Sequence, residues 1–199
     1  MRPRTFSDQE LLETARRCFL ERGPGVSTGV IAAELGVSQA AVFKRFPTKQ
    51  ALMLRALAPP AKPGWVEELE RGPDERPVKE QLRAHLGRID AFFSEIIPCM
   101  AVLSAAGFEK KDVCASYDEP PPVKAHRALS TWLEALEAQR RTDLPSPRSA
   151  ATIILGALQA RHMLRYMLGP AAPATSPNYL DDIVDLLWRG MQPLAVRSE

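Results

Sequence analysis

Cysteine is scarce in this 199-residue chain: Cys18, Cys99 and Cys114 are an odd number with no close pair. That excludes a dense disulfide framework and fits a reducing compartment. His85, His126 and His162 stand apart from one another and from the cysteines, so no metal-ligand spacing arises. No glycine-rich phosphate loop occurs, and no cofactor is expected. The strict apolar–polar alternation that marks strands is missing throughout. Long apolar runs are missing too. The charge-free apolar candidate, residues 149–160, is interrupted by Gly156 and closed by Arg161, well short of the ~20 residues a membrane span needs. Residues 1–9 are polar and no secretory signal core follows. The expectation is a cytoplasmic protein with no membrane partner. No internal repeat or low-complexity block is present.

One short match to enzyme chemistry exists. Gly25-Val26-Ser27-Thr28-Gly29 fits the G-x-S-x-G pattern of hydrolases, which needs a strand before the serine and a helix after it. Here a helical stretch and Gly23-Pro24 precede it. Ser27 is better explained as a helix cap. A serine hydrolase using Ser27 stands as an alternative, but an enzyme is not expected.

What is present is a core and an uneven charge. The chain is 45% hydrophobic and 25% charged, enough for a buried interior. Residues 1–55 carry nine Lys/Arg against five Asp/Glu, and the remainder seventeen against nineteen. The basic end hints at a polyanionic partner. Ser7-Asp8-Gln9-Glu10 is a capping box, and Phe6 before it can staple onto Leu11. Leu11, Leu12, Ala15, Phe19 and Leu20 then recur at helical spacing until Gly23-Pro24 ends the helix. The device repeats: Val26-Ser27 with Ile31, then Val37-Ser38 with Val42. Only Gly36-Val37-Ser38 separates these two helices. A turn this short forces a sharp crossing, the helix-turn-helix signature.

On the third helix Val42 and Phe46 share one side and Ala40, Ala41, Lys44 and Arg45 the opposite arc, with Gln39 at the exposed start. Small residues let a backbone sit deep in a major groove, and long donors reach bases and phosphates. Thr48 is the expected cap of a fourth helix, with Lys49 its first residue. A cation there opposes the helix dipole by ~0.3–1 kcal/mol, which makes sense if an anion such as a DNA phosphate docks beside it. Ser27 and Thr28 can hold another phosphate in the same way. Arg2 and Arg4, on a short arm ahead of the first helix, are further phosphate candidates.

Ile31-Ala32, Gly36-Val37-Ser38, Val42-Phe43 with Phe46, and Lys49 with Leu52 together resemble the N-terminal domain of TetR/AcrR-type transcriptional regulators, over roughly residues 7–55. The resemblance implies a homodimer whose two recognition helices enter successive major grooves of a palindromic operator. It also implies an all-helical C-terminal domain that binds a small effector. Position by position, it implies phosphate or base contacts at Thr28, Gln39, Ala40, Ala41, Phe43, Arg45 and Lys49. Two positions depart from the family pattern. Phe43 stands where Tyr is usual, so a hydroxyl-to-phosphate bond is missing. Lys44 stands where an aromatic is common, and it can replace the lost contact.

Beyond the fourth helix, residues 58–64 hold three prolines and cannot continue it. They mark a seam. A short helix is expected over 65–71. Val78, Leu82, Leu86, Ile89, Phe93 and Ile96 mark a long amphipathic helix, and Pro98 is expected to begin a shorter one to about residue 106. Residues 107–122 read as a loop with room for a partial turn, and 123–140 as a helix with Leu129, Trp132, Leu133 and Leu136 inward. Ser146-Pro147 and Ser176-Pro177 each place a capping Ser before a Pro at the first helical position. The two helices they start are apolar over more than one face, so each needs a second partner, and a second copy of the chain supplies it. The candidate dimer face is Ile154, Leu158 and Arg161 with Leu180, Ile183, Val184, Leu187 and Trp188. A candidate effector pocket is lined by Phe92, Phe93, Ile96, Met100, Leu103, Trp132, Leu136, Met163 and Tyr166, with Gln159, Arg161 and His162 for polar contacts.

The reading is an all-α protein. Residues 1–57 form a three-helix helix-turn-helix DNA-binding domain, and 58–199 a helical effector-binding and dimerisation domain. Its expected partners are double-stranded operator DNA, a second copy of itself and a small, largely apolar effector. An effector-independent dimeric DNA-binding protein is the alternative.

Overall fold

The computed structural model describes residues 6–115 and 117–192. Every regular element among them is helical: α1 (Asp8–Arg22), α2 (Thr28–Leu35), α3 (Gln39–Arg45), α4 (Lys49–Leu57), α5 (Gly64–Glu70), α6 (Val78–Ala105), α7 (Lys110–Cys114), α8 (Pro121–Ala138), α9 (Pro147–Leu168) and α10 (Tyr179–Met191), with a 3₁₀ turn at Gly169–Ala171. The chain divides into two compact units, Met1–Pro59 with Glu95–Ser116, and Pro60–Ser94 with Tyr117–Glu199. No described helix is long and apolar enough to cross a membrane.

In the first unit, α1 to α4 all start the same way. Ser7, Ser27, Ser38 and Thr48 have extended backbones, and each side-chain oxygen accepts from the amide three residues on. The distances are 3.1, 3.3, 3.2 and 3.0 Å. Glu10 completes the capping box by accepting from the Ser7 amide at 2.7 Å. Gly36 ends α2 with φ 75° and ψ 33°, a left-handed conformation that costs glycine least. The Val37 amide then reaches back to the Ala32 carbonyl at 2.9 Å, which closes the turn. Leu11, Phe19, Ile31, Val42, Leu52 and Leu57 are buried.

The expected helix break at Pro98 does not occur: α6 runs through it. Proline denies an N–H to the carbonyl four residues back, at a cost of about 3 kcal/mol. Ile96, Ile97, Cys99 and Leu103 on either side are buried. Several such side chains at ~1.5–3 kcal/mol each outweigh one lost bond. The nearby Glu95 carbonyl also accepts from the Cys99 thiol at 3.3 Å and the Arg16 guanidinium at 3.5 Å.

The second unit is built around one apolar core. It takes Trp65, Val66 and Leu69 from α5, Leu82, Leu86 and Ile89 from α6, Leu129, Trp132, Leu133 and Leu136 from α8, Ile154 and Leu158 from α9, and Val184 and Met191 from α10. The start of α10 also differs from expectation. Ser176 does not cap it; its hydroxyl accepts from the Asn178 amide two residues on, at 3.1 Å. That local turn delays the helix to Tyr179, which has no side-chain cap. A short helix, α7, occupies part of the stretch expected to be a loop.

Candidate nucleic-acid interface

α3 is a seven-residue helix in which only Val42 is fully buried. Gln39, Ala40, Phe43 and Lys44 are exposed, and Ala41 is half-buried. One buried valine contributes only ~1.5–3 kcal/mol, so the ends of α3 need other bonds. At its start, Gln39 Nε2 donates to Thr28 Oγ1 at 2.7 Å. Thr28 is itself buried in the first turn of α2. That bond leaves the amide oxygen and the second amide N–H of Gln39 free for a base edge. At the other end, Arg45 Nη1 donates to Asp8 Oδ1 and Nη2 to the Phe6 carbonyl, both at 2.5 Å. The guanidinium also stacks 4.0 Å from the centre of the Phe6 ring.

The starts of α2 and α4 share an electrostatic feature. Neither has an acidic residue in its first turn, whereas α1 has Asp8 and Glu10. Their positive dipole ends are uncompensated. Ser27 and Thr48 accept as caps there, and each hydroxyl still has a proton to donate. Lys49, the first residue of α4, is half-buried. Neither Lys49 nor Lys44 has a hydrogen-bond or ion-pair partner among the described residues. Lys44 in the last turn of α3 and Lys49 at the uncompensated start of α4 are thus cations without a partner among the described residues. Arg4 lies outside the described residues.

The candidate effector residues fall in several places. Trp132 and Leu136 are fully buried in the core of the second unit, with Phe92 and Phe93 half-buried against it. Gln159, Met163 and Tyr166 lie on the exposed side of α9. Ile96, Met100 and Leu103 belong to the first unit. His162 is engaged: its Nε2 lies 2.8 Å from Asp90 Oδ1. A hollow beside Trp132, also lined by Leu69, Arg127 and Thr131, measures about 130 Å³. That is below the ~300–1,000 Å³ of typical ligand clefts. Within the same unit Trp65 Nε1, Trp132 Nε1 and His85 Nδ1 are buried with no hydrogen-bond partner among the described residues. Burial pushes the His85 pKa down, against the opposing pull of Glu68.

Of the candidate dimer residues, Ile154, Leu158 and Val184 are buried in the chain's own core, and Leu180, Ile183, Leu187 and Trp188 pack against it half-buried. Arg161 donates to both Asp90 carboxylate oxygens, Nε to Oδ1 at 2.8 Å and Nη2 to Oδ2. Its face lies over the Tyr179 ring at 4.9 Å. The large apolar side chains left exposed nearby are different ones: Ile153 at 63% and Met167 at 68% on α9, and Leu186 at 73% on α10.

Two acidic residues were missed by sequence reasoning. Asp90 sits beside Ile89 and Phe93 on the apolar side of α6, and a carboxylate there must find a cation. That signal was readable, though not the identity of its partner. Asp8 read as part of a capping box, with nothing to show that it also meets Arg45.

Two family models match the sequence. Residues 11–56 match that of bacterial regulatory proteins, tetR family, and residues 89–187 that of the AefR-like transcriptional repressor C-terminal domain. No curated protein matches this sequence. Among solved structures, the flavonoid-responsive regulator FrrA is 22% identical with a TM-score of 0.57, covering 94% of this chain and 97% of that one. A transcriptional regulator from Saccharomonospora viridis in complex with choline is 18% identical with a TM-score of 0.65, covering 93% and 97%. AibR in complex with isovaleryl coenzyme A and operator DNA is 18% identical with a TM-score of 0.55, covering 89% and 96%. At these identities the structures speak to fold.

Proposed function

Because the chain belongs to the tetR family of bacterial regulatory proteins, we propose that it is a cytoplasmic, non-enzymatic repressor that binds a palindromic operator as a homodimer and is released by a small, largely apolar effector. The outer face of α3, with Lys44 in its last turn and Lys49 just beyond it, both without a partner among the described residues, and with the uncompensated starts of α2 and α4, carries this reading. Ala40 and Ala41 let the helix approach the groove floor, and Gln39 and Phe43 meet base edges and sugars. Ser27, Thr28, Lys44, Thr48 and Lys49 hold phosphates and set the register. Residues 1–57 perform this task, and residues 58–199 receive the effector and join the two copies.

The exposed apolar stripe of Ile153, Met163 and Met167 on α9, with Leu186 on α10, supports dimerisation. Gly156 and Ala160, on the same side of α9, let a partner helix approach closely. The ring nitrogens of Trp65, Trp132 and His85, without a partner among the described residues, support an effector site in the second unit, because a buried polar group left unpaired costs about 1–3 kcal/mol. The similar structures include a flavonoid-responsive regulator and complexes with choline and with isovaleryl coenzyme A, and small organic effectors are the class we expect here. An effector that favours one conformer shifts the population. Because the two recognition helices must match grooves ~34 Å apart, a small change in their separation lowers affinity.

The test uses a duplex selected by the wild-type chain from a random pool. Lys44→Ala and Lys49→Ala should each weaken binding and lower the slope of log K against log salt by about 0.9, the effect of one lost phosphate contact. Unchanged binding in both would sink the interface. A thermal-shift screen in which no metabolite stabilises a DNA-binding-competent chain would favour the effector-independent reading.

A further inference from the structure

We propose that Arg45 is a positioning residue that locks the recognition helix onto the start of α1, not a DNA contact. The inference rests on the operator-binding reading above. α3 is short and has one fully buried side chain, so its tilt is weakly specified by packing. Arg45 lies in its last turn and bridges to a part of the chain 37 to 39 residues earlier.

Three surfaces of the guanidinium are in use. Nη1 holds the Asp8 carboxylate, Nη2 holds the Phe6 carbonyl, and the flat face covers the Phe6 ring. The Phe6 carbonyl precedes the Ser7 cap and lies outside α1, so Arg45 supplies a donor that the helix does not. The planar fork of arginine suits this simultaneous grip, and a lysine ammonium cannot reproduce it. The side chain is 32% exposed.

Charge points the same way. Asp8 already neutralises Arg45 at 2.5 Å. A phosphate approaching the same guanidinium would meet the Asp8 carboxylate. An ion pair formed within the protein releases no counterion from DNA, so Arg45 should contribute little to the salt dependence of binding. Lys44, one residue away and without a partner among the described residues, should contribute fully. Arg45 and Lys44 are therefore adjacent cations with separate roles.

The experiment measures the full-length chain on its selected duplex and on a scrambled duplex across a salt series. Arg45→Ala should weaken binding to the selected duplex about tenfold, the scale of one misread base pair. Its salt slope and its affinity for the scrambled duplex should not change. Arg45→Lys should not rescue. Asp8→Ala should also weaken specific binding, and the double variant should be no worse than Arg45→Ala alone, because the two side chains act as one unit. A slope lowered by about 0.9, rescue by Arg45→Lys, or tighter binding by Asp8→Ala would each overturn the proposal. Circular dichroism checks folding, and Asp8→Ala decides the matter if Arg45→Ala does not fold. A wild-type chain that selects no duplex overturns the operator reading and this inference with it. Lys44→Ala lowering the slope while Arg45→Ala leaves it unchanged upholds both.

Discussion

The helix-turn-helix region and the helices of the second unit are specified by different means. α1, α2, α3 and α4 each begin at a Ser or Thr whose side chain caps the helix. In the second unit α5, α8 and α10 begin without a side-chain cap, and α9 has one, from Ser146. Burial and length account for the contrast together: α5 has only 7 residues, but it buries Trp65, Val66 and Leu69. α2, α3 and α4 have 8, 7 and 9 residues, below the ~12–15 at which an isolated helix is even marginal. α8 and α9 have 18 and 22 residues and bury long stripes. A cap contributes ~1 kcal/mol, and a buried leucine ~1.5–3. Short helices that keep one face exposed have little core to draw on, so local bonds set their ends. Long helices covered by neighbours can do without them.

That contrast can be broken, most forcefully from the core side. Leu129→Ala removes a fully buried side chain from α8 and should cost ~2–5 kcal/mol in denaturant unfolding. A loss under ~1 kcal/mol would mean that packing does not dominate the second unit. A sharper probe compares two caps of equal chemistry. Ser38→Ala and Ser146→Ala should each cost ~1 kcal/mol of stability, but only Ser38→Ala should weaken operator binding. Equal effects on binding would erase the distinction between a cap that aims a helix and one that merely starts it.

The smallest effect concerns pH. Burial lowers the His85 pKa below its ordinary 6.5, so the folded chain prefers the neutral ring. The unfolded chain then takes up a proton first as pH falls. The stability from neutral His85 is complete above about pH 6.5 and is lost as pH falls from there through the lowered folded value. His85→Phe, which keeps the edge contact with Trp132, should flatten the melting temperature across that window. A pH profile that the substitution leaves unaltered would show that His85 is not held neutral in the core.

Much of the fold was legible because its signals are local. The caps at Ser7, Ser27, Ser38 and Thr48 act over three residues, and each marks a helix start that the structure reproduces. Where a local signal competed with burial or another turn, it misled. Pro98 reads as a boundary, yet buried neighbours on both sides carry α6 past it. Ser176-Pro177 reads as a capped start, yet the serine hydroxyl closes a turn instead. At the candidate site, the outward face of α3 could be read from its periodicity. The engagement of Arg45 with Asp8 and Phe6, and the bond from Gln39 to Thr28, could not. Neither pair has a sequence signature, because the partners are 11 to 39 residues apart.

The sequence by itself determined the helical character, the capped starts of α1 to α4 and the tight turn at Gly36. Those depend on backbone preference and on bonds that span a few residues. The tertiary structure alone decided which cations are free. Arg45 and Arg161 are both arginines on helix surfaces, and each is held by a distant carboxylate, Asp8 or Asp90. Lys44 and Lys49 are left without partners among the described residues. Folding also decided which apolar residues of α9 stay outside, sealing Ile154 and Leu158 while leaving Ile153 and Met167 exposed. Charge pairing and burial are set by groups brought together across the chain, and no local pattern records them.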